Sequence, residues 1–387
     1  VKISELSVHV VGTAWRDLSY VVVRTDEGLT GVGETRMLSH TEALRGYLSE
    51  AARNHVLGSD PFNIEDLVFR MKYGDYGRSG EIVMSGVACV EMACWDIVGK
   101  ALSQPVWRLM GGKVRDSVKA YANGWYTVER RPEDFNAAAA RVIECGYRAL
   151  KFDPFGPGRF ELDHAETVRS IELIEAVRDA VGDDVELLVE MHGRFAPHEA
   201  IRLARMIERF SPSWIEEPVP PDNFRSLKKV AEHTEIPIAT GERIHDRTEF
   251  RELFEMGAAD IIQPDLGHIG GILETRKLAA TASTHHVLIA PHNVAGQVLT
   301  AANLQLAACT PNFKVLEYFN DFADKEVKQA AVGLPAVVDG YFALPTAPGL
   351  GVELDLDYVA EHPPRHARFD LHAENWQLRK PPSPNLP

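Results

Sequence analysis

The chain is poor in cysteine, with four in 387 residues: Cys89, Cys94, Cys145 and Cys309. None is spaced as Cys-x-x-Cys, which argues against zinc-finger and dithiol redox motifs, and so few in so long a chain do not make a disulfide framework. Free cysteines acting as small buried apolar residues are the expectation. No apolar run approaches the ~20 residues of a membrane span. No charged-then-apolar opening marks a secretory signal, so a reducing cytoplasm is the expected compartment. Positive charge is short too: 41 Lys and Arg stand against 56 Asp and Glu, for a net charge of −15. That balance argues against nucleic acid and anionic membranes as partners. It leaves an anionic small molecule open, because a metal or one local lysine can dominate a single pocket.

What is present is a change of texture along the chain. "ISELSVHVV" and "LSYVVVRTDEGLTGVGET" alternate like half-buried strands, with Asp26-Glu27-Gly28 as the turn. Helical stretches follow, notably "SGVACVEMACWDIVGKALSQPVWRLMGG", whose apolar residues cover a broad face. From about Ser117, short apolar runs alternate with amphipathic segments: "VKAYA", "RALKF", "VELLVEM", "SWIEE", "IPIAT", "ADIIQ", "VLIAP" and "FKVLEY". Continuous apolar strands separated by helices predict a closed parallel barrel. The absence of Gly-x-Gly-x-x-Gly after the first strand counts against an open, dinucleotide-binding sheet. The expected organisation is an α+β capping domain over 1–115, a barrel over 116–325 and a C-terminal segment over 326–387 that packs back on the cap. The final "KPPSPNLP" is expected to be a loose tail.

Ionisable residues end the barrel runs. Lys151 and Asp153 follow the second run, Glu190 and His192 the third, Glu216 the fourth and Glu242 the fifth. Asp265, His292 and Glu317 follow the sixth, seventh and eighth. Glu190, Glu216 and Glu242 are equally spaced, 26 residues apart. In a parallel barrel these C-terminal strand ends converge on one mouth, where barrel active sites lie. A single carboxylate at a strand end is usually just a polar group, but a run of six such ends is poorly explained by coincidence. Three carboxylates on adjacent strands make an all-oxygen site suited to Mg²⁺ rather than to Zn²⁺. "AYANGW" stands where a barrel zinc hydrolase would carry His-x-His. Asp265 and His292 end neighbouring strands, close enough for the Asp to orient the imidazole as a general base. Glu190 and His192, two apart, are expected on one strand face about 6.6 Å apart. Metal ligation, a surface ion pair and proton transfer are all open to them.

Taken together, these residues resemble the enolase superfamily, in particular its mandelate-racemase-like subgroup of acid-sugar dehydratases. The resemblance runs through nearly the whole chain, on "TDEGLTGVGE", "ACWDIVGKALSQPVWRLMGG", "WIEEP", "ATGER", "ADIIQPDLGHIGGI" and "PGLGVELD". It implies a modified TIM barrel, (β/α)7β, with the α+β cap completed by the C-terminal segment. It implies Glu190, Glu216 and Glu242 as Mg²⁺ ligands, although the first is more often Asp in the subgroup. Asp265 and His292 match the Asp–His dyad, Glu317 the group that hydrogen-bonds the substrate carboxylate, and Lys151 the first lysine of Lys-x-Lys. The second lysine, a base in many members, is Asp153 here, which puts a two-base racemase in doubt. In galactonate-dehydratase-like members a histidine at the place of His192 is the acid for the departing hydroxyl, and "EMHGR" is similar to that pattern.

The resulting expectation is Mg²⁺-dependent loss of water from an aldonate or aldarate by a soluble homo-oligomer, with His292 taking the C2 proton and His192 protonating the C3 hydroxyl. Epimerisation or cycloisomerisation on the same scaffold, and a catalytically silent binding protein, are the competing readings. Trp15, Arg16, Asn123, Trp125, Arg194 and His245 are candidate substrate contacts, as is Asp153.

Overall fold

The computed structural model describes residues 1–380 apart from positions 75, 78 and 368 and the side chain at 325. The expected tail therefore lies outside the described residues from 381 onward. Three antiparallel strands open the chain, β1 (Ile3–Gly12), β2 (Asp17–Thr25) and β3 (Thr30–Thr35), paired in that order. Gly28 makes the β2–β3 turn at a φ of 83°, a conformation glycine adopts without steric penalty. Helices α1 (Thr41–Ala51), α2 (Ile64–Tyr73) and α3 (Glu81–Ala101) cover the sheet, and the short α4 (Val106–Leu109) leads out of the cap. The alternating glycines of β3 let α3 lie directly on the strand. A Cβ at Gly31 would come within 2.0 Å of the Ala93 carbonyl oxygen, and one at Gly33 equally close to that of Cys89.

The long helix is buried, as its broad apolar face predicts. By length and composition alone, α3 is apolar enough to cross a membrane. Instead, 83% of its apolar window is buried inside the protein, as the core helix of the cap. All four cysteines are free, and only Cys145 is exposed.

Eight parallel strands follow, separated by seven helices. They run β4 (Ser117–Ala122), α5 (Pro132–Glu144), β5 (Ala149–Phe152), α6 (His164–Val181), β6 (Glu186–Glu190) and α7 (Pro197–Ile207). They continue as β7 (Trp214–Glu216), α8 (Phe224–Ala231), β8 (Ile238–Thr240), α9 (Phe250–Met256), β9 (Ile261–Ile262), α10 (Ile272–Thr284), β10 (Leu288–Ile289), α11 (Gln297–Cys309) and β11 (Leu316–Tyr318). Helix starts follow local chemistry: Pro lies in the first turn of α5 and α7, and Asp163 and Asn223 cap α6 and α8 through side-chain oxygens. Strands pair in sequence from β4 to β10, and β11 pairs with β4. A parallel bridge from Ile289 to Phe313 joins β10 to the approach to β11 and closes the ring, giving the expected (β/α)7β barrel. Tyr121, Leu188, Trp214 and Ile261 interleave with Ala149 and Ala239 inside it, filling the interior beneath the strand ends.

Buried carboxylates lock the cap onto the barrel. Glu91 of α3 accepts hydrogen bonds from the backbone N–H groups of Ile272 and Leu273, at the start of α10. Glu34 of β3 does the same for Gly296 and Leu299 at the start of α11. These are free donors at helix N-termini, where negative charge is favoured.

The C-terminal segment contacts both units. It contributes β12 (Ala331–Val332), β13 (Val337–Val338), β14 (Tyr341–Ala343), β15 (Glu353–Leu354) and α12 (Leu356–Glu361). β14 pairs antiparallel with the start of β4, on the barrel. Further on, the His362 carbonyl accepts from Gly12 N–H, and Asp17 accepts from Arg365 and His366 N–H, on the cap. Residues 369–379 then reach the mouth of the barrel.

Candidate active site

Strand register brings the predicted carboxylates together. Glu190 and Glu216 are direct partners at the ends of β6 and β7, and Glu242 lies two residues beyond β8. One oxygen from each falls within 4.8 Å of the others. Lys151, on β5, donates from Nζ to Glu216 at 2.6 Å and lies 3.0 Å from Glu317 and 3.5 Å from Glu190. All four side chains are almost wholly buried. Burial opposes the charge on Lys151, but Glu216 and Glu317 outweigh it and hold its pKa well above the usual range. One lysine does not satisfy the cluster. Burial and the neighbouring Glu216 push Glu190 well above the ordinary carboxylate pKa. For Glu242, burial is overcome by His292 and Lys151, and its pKa falls to about 2. Like charges at this density split their titrations in the absence of added positive charge. Three hard oxygen donors, short of positive charge, fit a divalent cation such as Mg²⁺.

Asp265 and His292 follow the adjacent strands β9 and β10, and His292 Nδ1 lies 2.7 Å from Asp265 Oδ2. Asp265 Oδ1 accepts from Gly267 N–H, which fixes the carboxylate. The opposite ring atom, Nε2, stands 3.4 Å from Glu242. Burial works against protonation of His292, yet Glu242 and the bond to Asp265 raise its pKa to about 9.

His192 departs from the expected geometry. β6 ends at Glu190, and His192 sits in the following turn with a φ of 47°, so the two do not share a strand face. The left-handed turn is held by Glu190 Oε1, which accepts from His192 N–H at 2.6 Å. Its Nδ1 meets Asp153 Oδ2 at 2.5 Å. Asp153 also pairs with the buried Arg194 and accepts from Phe155 N–H. Burial lowers the His192 pKa to about 4, while the Glu242 carboxylate pulls the other way. Trp376 stands edge-on to it at 5.3 Å.

A cavity of about 390 Å³ opens over these groups. Lys151, Glu190, His192, Glu242, His292 and Asn123 line it from the barrel, and Trp15 lines it from the cap. Other expected contacts do not reach it. Arg16 is fully buried, binding Asp324, the Val294 carbonyl and Asn320. Trp125 donates to the Lys151 carbonyl and packs among Tyr126, Phe135 and Phe152. Arg194 and Asp153 satisfy one another behind His192, and His245 lies beside His268 instead. Glu317 also lies behind the cavity. Its oxygens accept from Asn123, from Asn293 N–H and from Lys151, so it holds Lys151 rather than facing a ligand.

The sequence reading missed one whole wall. Phe369, Leu371, His372, Trp376 and Arg379 line the cavity from the C-terminal segment. A tryptophan and an arginine in the otherwise polar "ENWQLRK" were the available signal. Arg36 of the cap and Arg243, paired to Glu217, were missed as well.

A capped (β/α)7β barrel with three clustered carboxylates and an Asp–His pair at its mouth defines a class of protein, and comparison with known proteins identifies it. Residues 3–111 match the family described as mandelate racemase / muconate lactonizing enzyme, N-terminal domain, and residues 134–359 match the family described as enolase C-terminal domain-like. The chain belongs to the mandelate-racemase-like branch of the enolase superfamily. It is 37% identical to the D-gluconate dehydratase of Thermoproteus tenax, over 88% of this chain and 69% of that protein. It is 35% identical to the D-xylonate dehydratase of Haloferax volcanii, over 88% and 84%. Among solved structures, a mandelate racemase/muconate lactonizing enzyme from Jannaschia sp. CCS1 superposes with a TM-score of 0.88 at 38% identity, covering 94% of this chain and 98% of the other.

Proposed function

We propose that the protein dehydrates a sugar acid to its 2-keto-3-deoxy product, with Mg²⁺ held by Glu190, Glu216 and Glu242. The observation that carries this reading is a pair of histidines at one cavity, His192 and His292, each with Nδ1 held by an aspartate. They follow β6 and β10, four strands apart in an eight-stranded ring, and so approach a bound molecule from opposite sides. The curated dehydratase relatives support the reaction class.

Lys151 binds the substrate carboxylate and stabilises the charge that gathers on it when C2 is deprotonated. A preorganised donor of this kind is typically worth about 3 kcal/mol. When bound, Mg²⁺ would polarise the same carboxylate and, together with Lys151, offset the charge of the three glutamates. His292 has to be neutral to act as the base: with Glu242 committed to a bound cation, the carboxylate that raises the His292 pKa would no longer favour the imidazolium. Nε2 then accepts the C2 proton, and Asp265 stabilises the imidazolium that results. The C2 electron pair then forms the C2–C3 double bond as the C3–O bond breaks. His192, protonated on both ring nitrogens once it faces the anionic substrate and paired at Nδ1 with Asp153, delivers the Nε2 proton to the departing oxygen. The oxygen leaves as water, the ring takes its next proton from solvent, and the enol tautomerises to the ketone. Asp153 sets the His192 tautomer and directs Nε2 toward the substrate. It supplies no amine on that side of the cavity, which argues against a lysine–histidine racemase.

Proton NMR in D₂O, with Mg²⁺ and a panel of sugar acids, tests the reading. Loss of the C2 signal together with a deuterated 3-deoxy product is expected. Exchange or epimer without water loss would instead make the protein an epimerase.

A further inference from the structure

Two guanidinium groups face the cavity without an acidic partner. Arg36 follows β3 in the cap, and Arg379 lies in the C-terminal segment. Neither has a carboxylate oxygen within 4.0 Å among the described residues. The third lining arginine, Arg243, is committed to Glu217.

Arg379 is only 9% exposed. Nη1 donates to Thr127 Oγ1 and the Gln377 carbonyl, Nη2 makes a long bond of 3.4 Å to the Tyr126 hydroxyl, and Nε has no partner among the described residues. Its guanidinium lies 4.9 Å from the Phe319 ring centre, 5.0 Å from Tyr126 and 5.4 Å from Trp15. Aromatic faces offset part of the cost of burying a cation, but they do not replace an anion. Arg36 is barer still. Its Nε is buried without a partner, and its side chain donates no hydrogen bond among the described residues. Of the nearby carboxylates, Asp370 on this wall is exposed and accepts from His372 N–H, and Asp265, held by His292, feels the Arg36 charge without a contact inside 4.0 Å.

The dehydration reading accounts for one anionic end of the substrate, the carboxylate at Lys151, and leaves these two cations unused. We propose that Arg36 and Arg379 form a second anion subsite, so that the substrate is a sugar acid with an anionic group at its other end. An aldarate carboxylate and a terminal phosphate ester share this chemistry, and guanidinium binds either through paired hydrogen bonds. The inference rests on the proposed function for its substrate class, but it concerns recognition rather than the reaction.

The test compares an aldarate, the aldonate of the same configuration and that aldonate phosphorylated at its terminal carbon. Calorimetry on the Mg²⁺-loaded protein measures binding, and NMR in D₂O measures turnover. One of the two doubly anionic ligands is expected to bind about tenfold or more tighter than the plain aldonate. Which one does so names the source of the anion. Arg379→Met and Arg36→Gln should each shrink that ratio about tenfold. A general packing defect would lower affinity for both members of a pair and leave the ratio unchanged. Because the Arg36 side chain donates no hydrogen bond among the described residues, its variant serves if Arg379→Met does not fold. Preference for the plain aldonate, or a ratio unmoved by both substitutions, overturns the subsite. An arginine-dependent preference without C2 exchange would keep the subsite and overturn the dehydratase reading. Arginine-independent dehydration of aldonates would do the reverse.

Discussion

Asp153 and His192 form a pair at the barrel mouth, with Oδ2 and Nδ1 2.5 Å apart. The pair mirrors Asp265 and His292 on the far side of the barrel. Replacing Asp153 with Asn removes the negative charge that fixes the His192 tautomer and lets an amide N–H face Nδ1 instead. Dehydration should fall on the order of 10² or more, while C2 proton exchange persists. Parallel NMR traces of exchange and product separate the two effects. Equal loss of both would remove Asp153 from a role in protonating the leaving group.

The two histidines should fail differently. His292→Asn should reduce C2 exchange and product together, by about 10²–10⁴-fold. His192→Asn should keep exchange and lose product. If His192→Asn dehydrates at the normal rate, the acid lies elsewhere.

Removing divalent metal should abolish turnover and lower the melting temperature. Mg²⁺ at a hundred times its dissociation constant adds about 2.7 kcal/mol of stability through linkage. Calorimetric titration should find one ion per chain in the native protein and none in Glu216→Gln. Full activity in excess chelator would contradict the assignment of the three glutamates.

Gly33→Ala should destabilise the cap. The added methyl would stand 2.0 Å from the Cys89 carbonyl oxygen, and backbone on both sides leaves nothing flexible to move. A loss of about 1–3 kcal/mol is expected in chemical denaturation. The exposed turn residue Gly28, where a Cβ meets nothing, should lose stability only through its backbone conformation.

Glu91 predicts a pH dependence of stability. Burial raises its pKa from 4.5 to about 8, against the pull of the Leu273 and Ile272 amides. A carboxyl that holds its proton more tightly when folded favours folding fully below pH 4.5. That contribution is lost as pH rises through the window to about 8. Glu91→Gln should flatten the stability profile between those limits in urea titrations. An unchanged slope would mean that the helix N-terminus keeps Glu91 ionised.

Much of the barrel was legible because its signal is repetitive. A buried strand, a helix and an ionisable strand end recur from Lys151 to Glu317, and closure of the ring converts that linear rhythm into one mouth. What escaped the sequence depends on single backbone turns and distant packing. Period-two reasoning put His192 on the face of Glu190, but the strand stops at Glu190 and a left-handed residue redirects the ring. Arg16 and Trp125 looked like contacts because polar-aromatic residues near a mouth often are, yet their partners, Asp324 and the Lys151 carbonyl, satisfy them in the interior. The wall at 369–379 carries little regular structure, so no periodicity could announce it.

That wall has a bearing on how such proteins diversify. The groups placed for chemistry sit on strands whose register is shared around a closed ring, where one shifted residue disturbs every neighbour. Trp376 and Arg379 hang from a peripheral stretch that the ring does not need in order to close. Inheritance can therefore rewrite the guest list at the door while the workshop behind it stays as it was.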